Sequence, residues 1–188
     1  GKSISTNALK DYLEKYPETY HRNQLCFFIG SSHFAEKEWD KALYWLSQAD
    51  VDYLNVKEQE DYSYRTAYAN LQAGKRAQAK GLFSILARNS QKYAEPAYYL
   101  AYANFQDGEY DQAIPIFKRL KSKAEYKESS TFFLVQAAYL QGDYNQTIAE
   151  GQDYIGSYSY SANTTEVYRL LANSYYKQGD TRNTILNY

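Results

Sequence analysis

The sequence has no methionine, one cysteine, three prolines and two histidines among 188 residues. Each scarcity excludes something. A lone Cys26 cannot close an internal disulfide, and its neighbours Leu25, Phe27 and Phe28 predict a buried, inert thiol. With His21 and His33 as the only histidines, the chain carries no HExxH, CxxC, GxGxxG or phosphate-binding loop, so no metal ligand set, nucleotide site or catalytic constellation is expected. His33 is expected to be a satisfied structural histidine, and no cofactor is expected. The lysines and arginines form no run able to neutralise a row of phosphates, and the net charge is -1, so nucleic acid is not an expected partner. No apolar run approaches the roughly 18 residues of a membrane span, and the start shows no secretory pattern. Without a methionine the chain reads as a piece of a longer protein, with Gly1-Lys2 as an added scar.

Tyrosine is abundant, at 23 residues, and the chain repeats itself. DGEYDQAIPIF (107–117), LQGDYNQTI (140–148) and KQGDTRNTI (177–185) are variants of one phrase. Gly74, Gly108, Gly142 and Gly179 are 34, 34 and 37 residues apart. Five residues after each comes Ala79, Ala113, Thr147 or Thr184. An earlier copy holds Lys37 in the glycine position and Ala42 in the small one. The extra residues fall in connections near 53–56 and 157–163.

Apolar spacing within a unit is helical: Ala113, Ile114, Phe117 and Leu120 recur at steps of one and three. Each unit is therefore expected to be two helices of about 12–14 residues joined by a tight turn. The glycine ends the first helix in a left-handed conformation. The acid after it caps the second by accepting from free N–H groups. The small residue lets the two helices approach. One such hairpin cannot bury its own apolar face, so neighbours stack into one core.

This period and phrase resemble the tetratricopeptide repeat (TPR) family. The resemblance covers units at 23–56, 60–93, 94–127, 128–161 and a partial 165–188, with 5–17 as the second helix of a preceding repeat. It implies an all-α, right-handed superhelical TPR solenoid, a single array over 1–188. It also implies that positions 5, 9 and 12 of each repeat, on its first helix, line a concave groove. Those positions hold Phe27, Ser31 and Phe34; Tyr64, Tyr68 and Leu71; Tyr98, Tyr102 and Phe105; Phe132, Gln136 and Tyr139; and Arg169, Asn173 and Tyr176. Rings at position 12 often serve packing alone. Tyr64, Tyr68, Tyr98 and Tyr102 are the stronger candidates for ligand contact, with packing between adjacent first helices as the competing reading. Arg65 and Arg169 are candidates to anchor an acidic group at the rim. The family's carboxylate-clamp subset uses Lys and Asn where this chain has Phe27, Ser31, Tyr64 and Tyr68, so that ligand is not expected. Trp39 and Trp45 are expected on a second helix, away from the groove.

The resemblance implies a non-enzymatic scaffold that binds a peptide or protein segment. Two alternatives stand beside it: the sensory half of a membrane-anchored regulator, and a glycan-binding envelope module. A looser likeness to bacterial exported arrays favours a periplasmic or envelope location over the cytoplasm. Weak self-association through an uncapped C-terminal end is also expected.

Overall fold

The computed structural model describes residues 5–89 and 94–188. Residues 90–93, which end the expected unit 60–93, and Gly1-Lys2 lie outside the described residues. The described residues form eleven α-helices and no strand. In chain order they are α1 (Thr6–Lys15), α2 (Arg22–Ala35), α3 (Trp39–Ser47), α4 (Val56–Gln72), α5 (Arg76–Asn89), α6 (Ala94–Gln106), α7 (Tyr110–Leu120), α8 (Lys127–Leu140), α9 (Tyr144–Ser157), α10 (Thr164–Lys177) and α11 (Thr181–Asn187). The chain divides into two compact units, Gly1–Pro96 and Ala97–Tyr188. Each is a stack of antiparallel helical hairpins.

The hairpin turns follow one rule. Gly74, Gly108, Gly142 and Gly179 take φ between 76° and 78°, and Lys37 takes 60°. The left-handed residue redirects the chain so that the next N–H reaches back five residues. Lys75 donates to the Asn70 carbonyl at 2.8 Å, Glu109 to Asn104 at 2.9 Å and Asp143 to Ala138 at 2.9 Å. Orphan carbonyls at the helix end are thereby satisfied. Lys37 makes the same turn with a Cβ in the way, at a cost of about 1 kcal/mol.

The capping acids divide by length. Asp143 and Asp180 accept from the N–H groups of Gln146 and Asn183, each at 3.0 Å. Glu38 and Glu109 make no such bond, contrary to expectation. The additional methylene of glutamate carries the carboxylate past its own helix start. That of Glu38 goes instead to His33 and Lys41.

The small residues sit at the hairpin crossings. Ala42, Ala79, Ala113 and Thr147 are fully buried. Thr147 and Thr184 stand in for alanine because their hydroxyls donate to the carbonyls of Asp143 and Asp180, at 2.8 and 2.7 Å, so no buried hydroxyl is left unmet. Gly151 gives α10 its approach: a Cβ there would lie 2.7 Å from Leu171 Cδ2.

In the first unit Leu13, Cys26, Ile29 and Ala49 form a core joined by Leu9, Phe27 and Trp45. Cys26 is buried, as expected, and burial pushes its thiol pKa up. In the second unit one cluster gathers Ala101, Ala113, Phe117 and Leu134, and another gathers Val135, Tyr154, Val167 and Leu171. Tyr154, fully buried, donates to Ser161 at 2.7 Å and lies 3.1 Å from Glu128, to which Ser161 donates at 2.5 Å. These bonds pin the polar connection after α9 onto the start of α8.

Candidate functional site

The candidate rings gather into two frames, one in each unit. In the first, the Phe34 ring at the end of α2 meets Tyr68 of α4 edge-on at 5.6 Å and Trp39 at 5.5 Å. Trp39 also meets Tyr68, at 5.8 Å. The expectation that Trp39 lies away from the groove residues is therefore wrong. Trp39 is the first residue of α3, and its side chain leans toward the helix N-terminus, back across the turn. The same i, i+5 pair recurs as Phe105–Tyr110 at 5.4 Å and Tyr139–Tyr144 at 6.1 Å, so a position-12 ring is partnered across its own turn. Tyr64 stacks on Tyr68 at 6.1 Å, and its hydroxyl donates to Glu95 at 2.6 Å.

In the second unit the frame closes around Phe133 of α8. Its ring lies 5.1 Å from Phe105, 5.6 Å from Tyr102, 6.4 Å from Tyr98 and 5.1 Å from Phe117, the last stacked within 13°. Tyr98 also packs on Tyr126 at 5.2 Å, and burial raises its phenol pKa. Sequence reasoning missed Phe133, which falls at position 6 of its repeat. The signal was available in TFFLV: a helix that is apolar all round is one wedged between neighbours.

The other named positions divide as follows. Phe27 packs on the first-unit core. Phe132 and Tyr139 pack on the cluster of Val135, Tyr154 and Val167. Tyr176 is exposed. Tyr64, Tyr68, Tyr98, Tyr102 and Phe105 are half-buried.

The two candidate arginines differ. Arg169 is tied to Glu166 on its own helix by two bonds, Nε at 2.8 Å and Nη2 at 2.6 Å. The pair holds the Glu166 carboxyl below its usual range. Arg65 has one contact, Nη2 to Asp61 at 3.5 Å, and its buried Nε has no acceptor. A buried N–H without a partner costs about 1–3 kcal/mol. Its guanidinium lies over the Phe34 ring at 5.4 Å, which returns about 0.5–1 kcal/mol.

Elsewhere among the described residues, His33, Glu36 and Glu38 come close enough to hold a metal ion. The geometry is that of a satisfied structural histidine, as expected. Lys10 Nζ lies 3.0 Å from Nε2, and Nδ1 bonds the Glu38 carboxylate, so both ring nitrogens are partnered. Lys41 meets the other Glu38 oxygen at 2.6 Å. No helix among the described residues is long and apolar enough to cross a membrane.

Residues 90–185 match a protein family described as YfiO, outer membrane lipoprotein. Among solved structures the chain is similar to MamA from AMB-1, with 20% identity over 89% of this chain and 86% of that one, at a TM-score of 0.71. It is similar to YrrB, described as a TPR protein with an unusual peptide-binding site, with 11% identity over 97% and 90% and a TM-score of 0.71. A tetratricopeptide repeat protein from Parabacteroides merdae gives 15% identity over 97% and 69%, with a TM-score of 0.68. At these identities the likeness establishes the TPR fold. No curated protein matches the chain.

Proposed function

Because this chain belongs to the YfiO family of outer membrane lipoproteins, through the match over residues 90–185, we propose that it is a non-enzymatic scaffold of the cell envelope. It binds a peptide or protein segment on the faces of its first helices. The observation that carries this reading is the set of half-buried tyrosines Tyr64, Tyr68, Tyr98 and Tyr102 on α4 and α6. One side of each ring packs on neighbouring helices, and the remainder is open to solvent. A ring fixed in this way offers area to a ligand at little further cost in conformational entropy. An extended segment or an amphipathic helix is the form of partner that such a helical face accepts. The YrrB description, a TPR protein with a peptide-binding site, supports the same use of the fold.

The test is a peptide-library screen on the wild type and on the Tyr68→Ala/Tyr102→Ala double variant, with a glycan array alongside and circular dichroism to establish folding. The wild type is expected to select a peptide motif that the folded double variant loses. Binding unchanged by the substitutions would assign the tyrosines to packing alone. Selection of sugars in place of peptides would turn the reading to a glycan-binding module.

A further inference from the structure

The connection between α1 and α2 holds a cleft that lies outside the first-helix faces. Tyr12 on α1 and Tyr16 at its C-cap stand four residues apart, so their rings are neighbours. The rings meet at 5.1 Å with 48° between their planes, which opens a wedge. They remain 42% and 48% exposed. Pro17 then turns the chain. The Thr19 N–H donates to the Tyr16 carbonyl at 3.2 Å, and proline at the second place of such a turn presets its dihedral. Tyr12, Lys15, Tyr16, Pro17, Glu18 and Thr19 line an open cleft of about 410 Å³, inside the roughly 300–1,000 Å³ that ligand sites occupy.

The walls, the donors and the charge of this cleft point to one kind of ligand. Its walls are two tilted rings and a pyrrolidine, held by a helix end and a closed turn, so little ordering is left to oppose binding. Its donors are phenols. The Tyr12 hydroxyl lies 3.5 Å from Thr19 Oγ1, at the long limit of a hydrogen bond, and the Tyr16 hydroxyl is carried on an exposed ring. A matching ligand presents compact apolar rings beside carbonyls that lack internal partners. The polyproline II helix does both, since it forms no hydrogen bonds within itself, and aromatic-lined grooves take it preformed. The Lys15 ammonium is engaged over the Tyr16 ring at 5.4 Å, whereas Glu18 is exposed on the rim. A carboxylate there pairs with a cation and fixes orientation more than it adds affinity.

We propose that the α1–α2 cleft docks a proline-rich segment in the polyproline II conformation, with an Arg or Lys beside the prolines. Tyr12 and Tyr16 take a proline ring between them and donate to the segment's carbonyls. Glu18 pairs the cation and sets the direction of the chain. The cleft shares no residue with the tyrosine faces of α4 and α6 and does not rest on their reading as a peptide site.

The probes are fluorescent oligoproline peptides with Arg at one end, the same peptides with Glu in place of Arg, and the Arg peptides with alanine in place of proline. Anisotropy gives their affinities for the wild type, Tyr16→Ala, Tyr12→Phe/Tyr16→Phe, Glu18→Gln and Tyr68→Ala/Tyr102→Ala. The wild type is expected to bind the Arg-proline peptide about tenfold or more tighter than its alanine counterpart. Tyr16→Ala is expected to lose about tenfold or more, and the paired Phe variant, which keeps the rings and removes both donors, to lose less. Glu18→Gln is expected to erase the preference for Arg over Glu. Tyr68→Ala/Tyr102→Ala is expected to bind as the wild type does. Tyr16 is exposed, so its variants are expected to melt with the wild type, and circular dichroism checks this. No binding of the proline peptides, equal binding of the alanine peptides, or proline binding that survives Tyr16→Ala would overturn the cleft and leave the first-helix reading standing. A preference for Arg that survives Glu18→Gln would overturn the role of Glu18. An oligosaccharide panel run alongside covers the other ligand such rings accept. Sugars bound in place of prolines, and lost in Tyr16→Ala, would overturn the proline reading and assign the cleft to saccharides.

Discussion

Two equivalent slots in one repeat pattern have been filled by opposite chemistry. Around Phe133 the second unit buries rings against rings, with the fully buried Phe117 stacked beneath. Around Arg65 the first unit lays a charge on Phe34 and leaves an N–H and a hydroxyl without partners. The packed slot contributes to stability. The charged slot contributes little to stability, because a buried N–H without an acceptor offsets what the ring contact returns.

The largest effect should come from removing each occupant. Phe133→Ala is expected to cost about 3 kcal/mol, as a ring leaving a cavity among four others. Arg65→Ala is expected to cost less than about 1 kcal/mol, the scale of an exposed cation–π contact. Urea unfolding of both variants checks the contrast, and equal costs would end it. A smaller effect belongs to the hairpin turns. Lys37→Gly is expected to stabilise by up to about 1 kcal/mol, because the left-handed turn no longer carries a Cβ. Gly108→Ala is expected to lose a similar amount, and thermal melts of the pair would expose any asymmetry in the turns. The smallest effect is alkaline. Burial raises the phenol pKa values of Tyr62 in the first unit and of Tyr98 and Tyr154 in the second. Unfolded tyrosines ionise near pH 10, so the contribution of these groups is complete below that pH. It is lost as pH rises through the higher folded-state values. Phenolate absorbance followed with helicity should show late ionisation coincident with unfolding, and Tyr154→Phe should flatten the dependence.

Much of the fold was legible because a hairpin repeat writes its constraints locally. Gly74, Gly108, Gly142 and Gly179 announce left-handed turns wherever they stand, and the small residues five positions on announce helix crossings. Even the exceptions were marked: Lys37 turns as the glycines do, and Thr147 is tolerated because its hydroxyl has a carbonyl to bond. The candidate site was less legible. Position numbers identified Tyr64, Tyr68, Tyr98 and Tyr102 but could not show which rings meet which neighbours. Trp39 meets Phe34 and Tyr68 because its side chain leans back across the turn from the start of α3, which its helix assignment alone does not give. Arg65 and Arg169 each follow an acid by about one helical turn in the sequence, and the structure separates them: Glu166 holds Arg169 by two bonds, whereas Arg65 has only Asp61 at 3.5 Å and lies over Phe34.

The sequence by itself determined the helices, their pairing and the turn at each glycine, since those depend on propensity, period and dihedral preference within a few residues of one another. Only the tertiary structure decided which rings become core and which polar atoms go unmet. The partial burial of Phe133 among rings and the unpaired Nε of Arg65 are properties of the residues packed around them, many of which lie some thirty positions away along the chain.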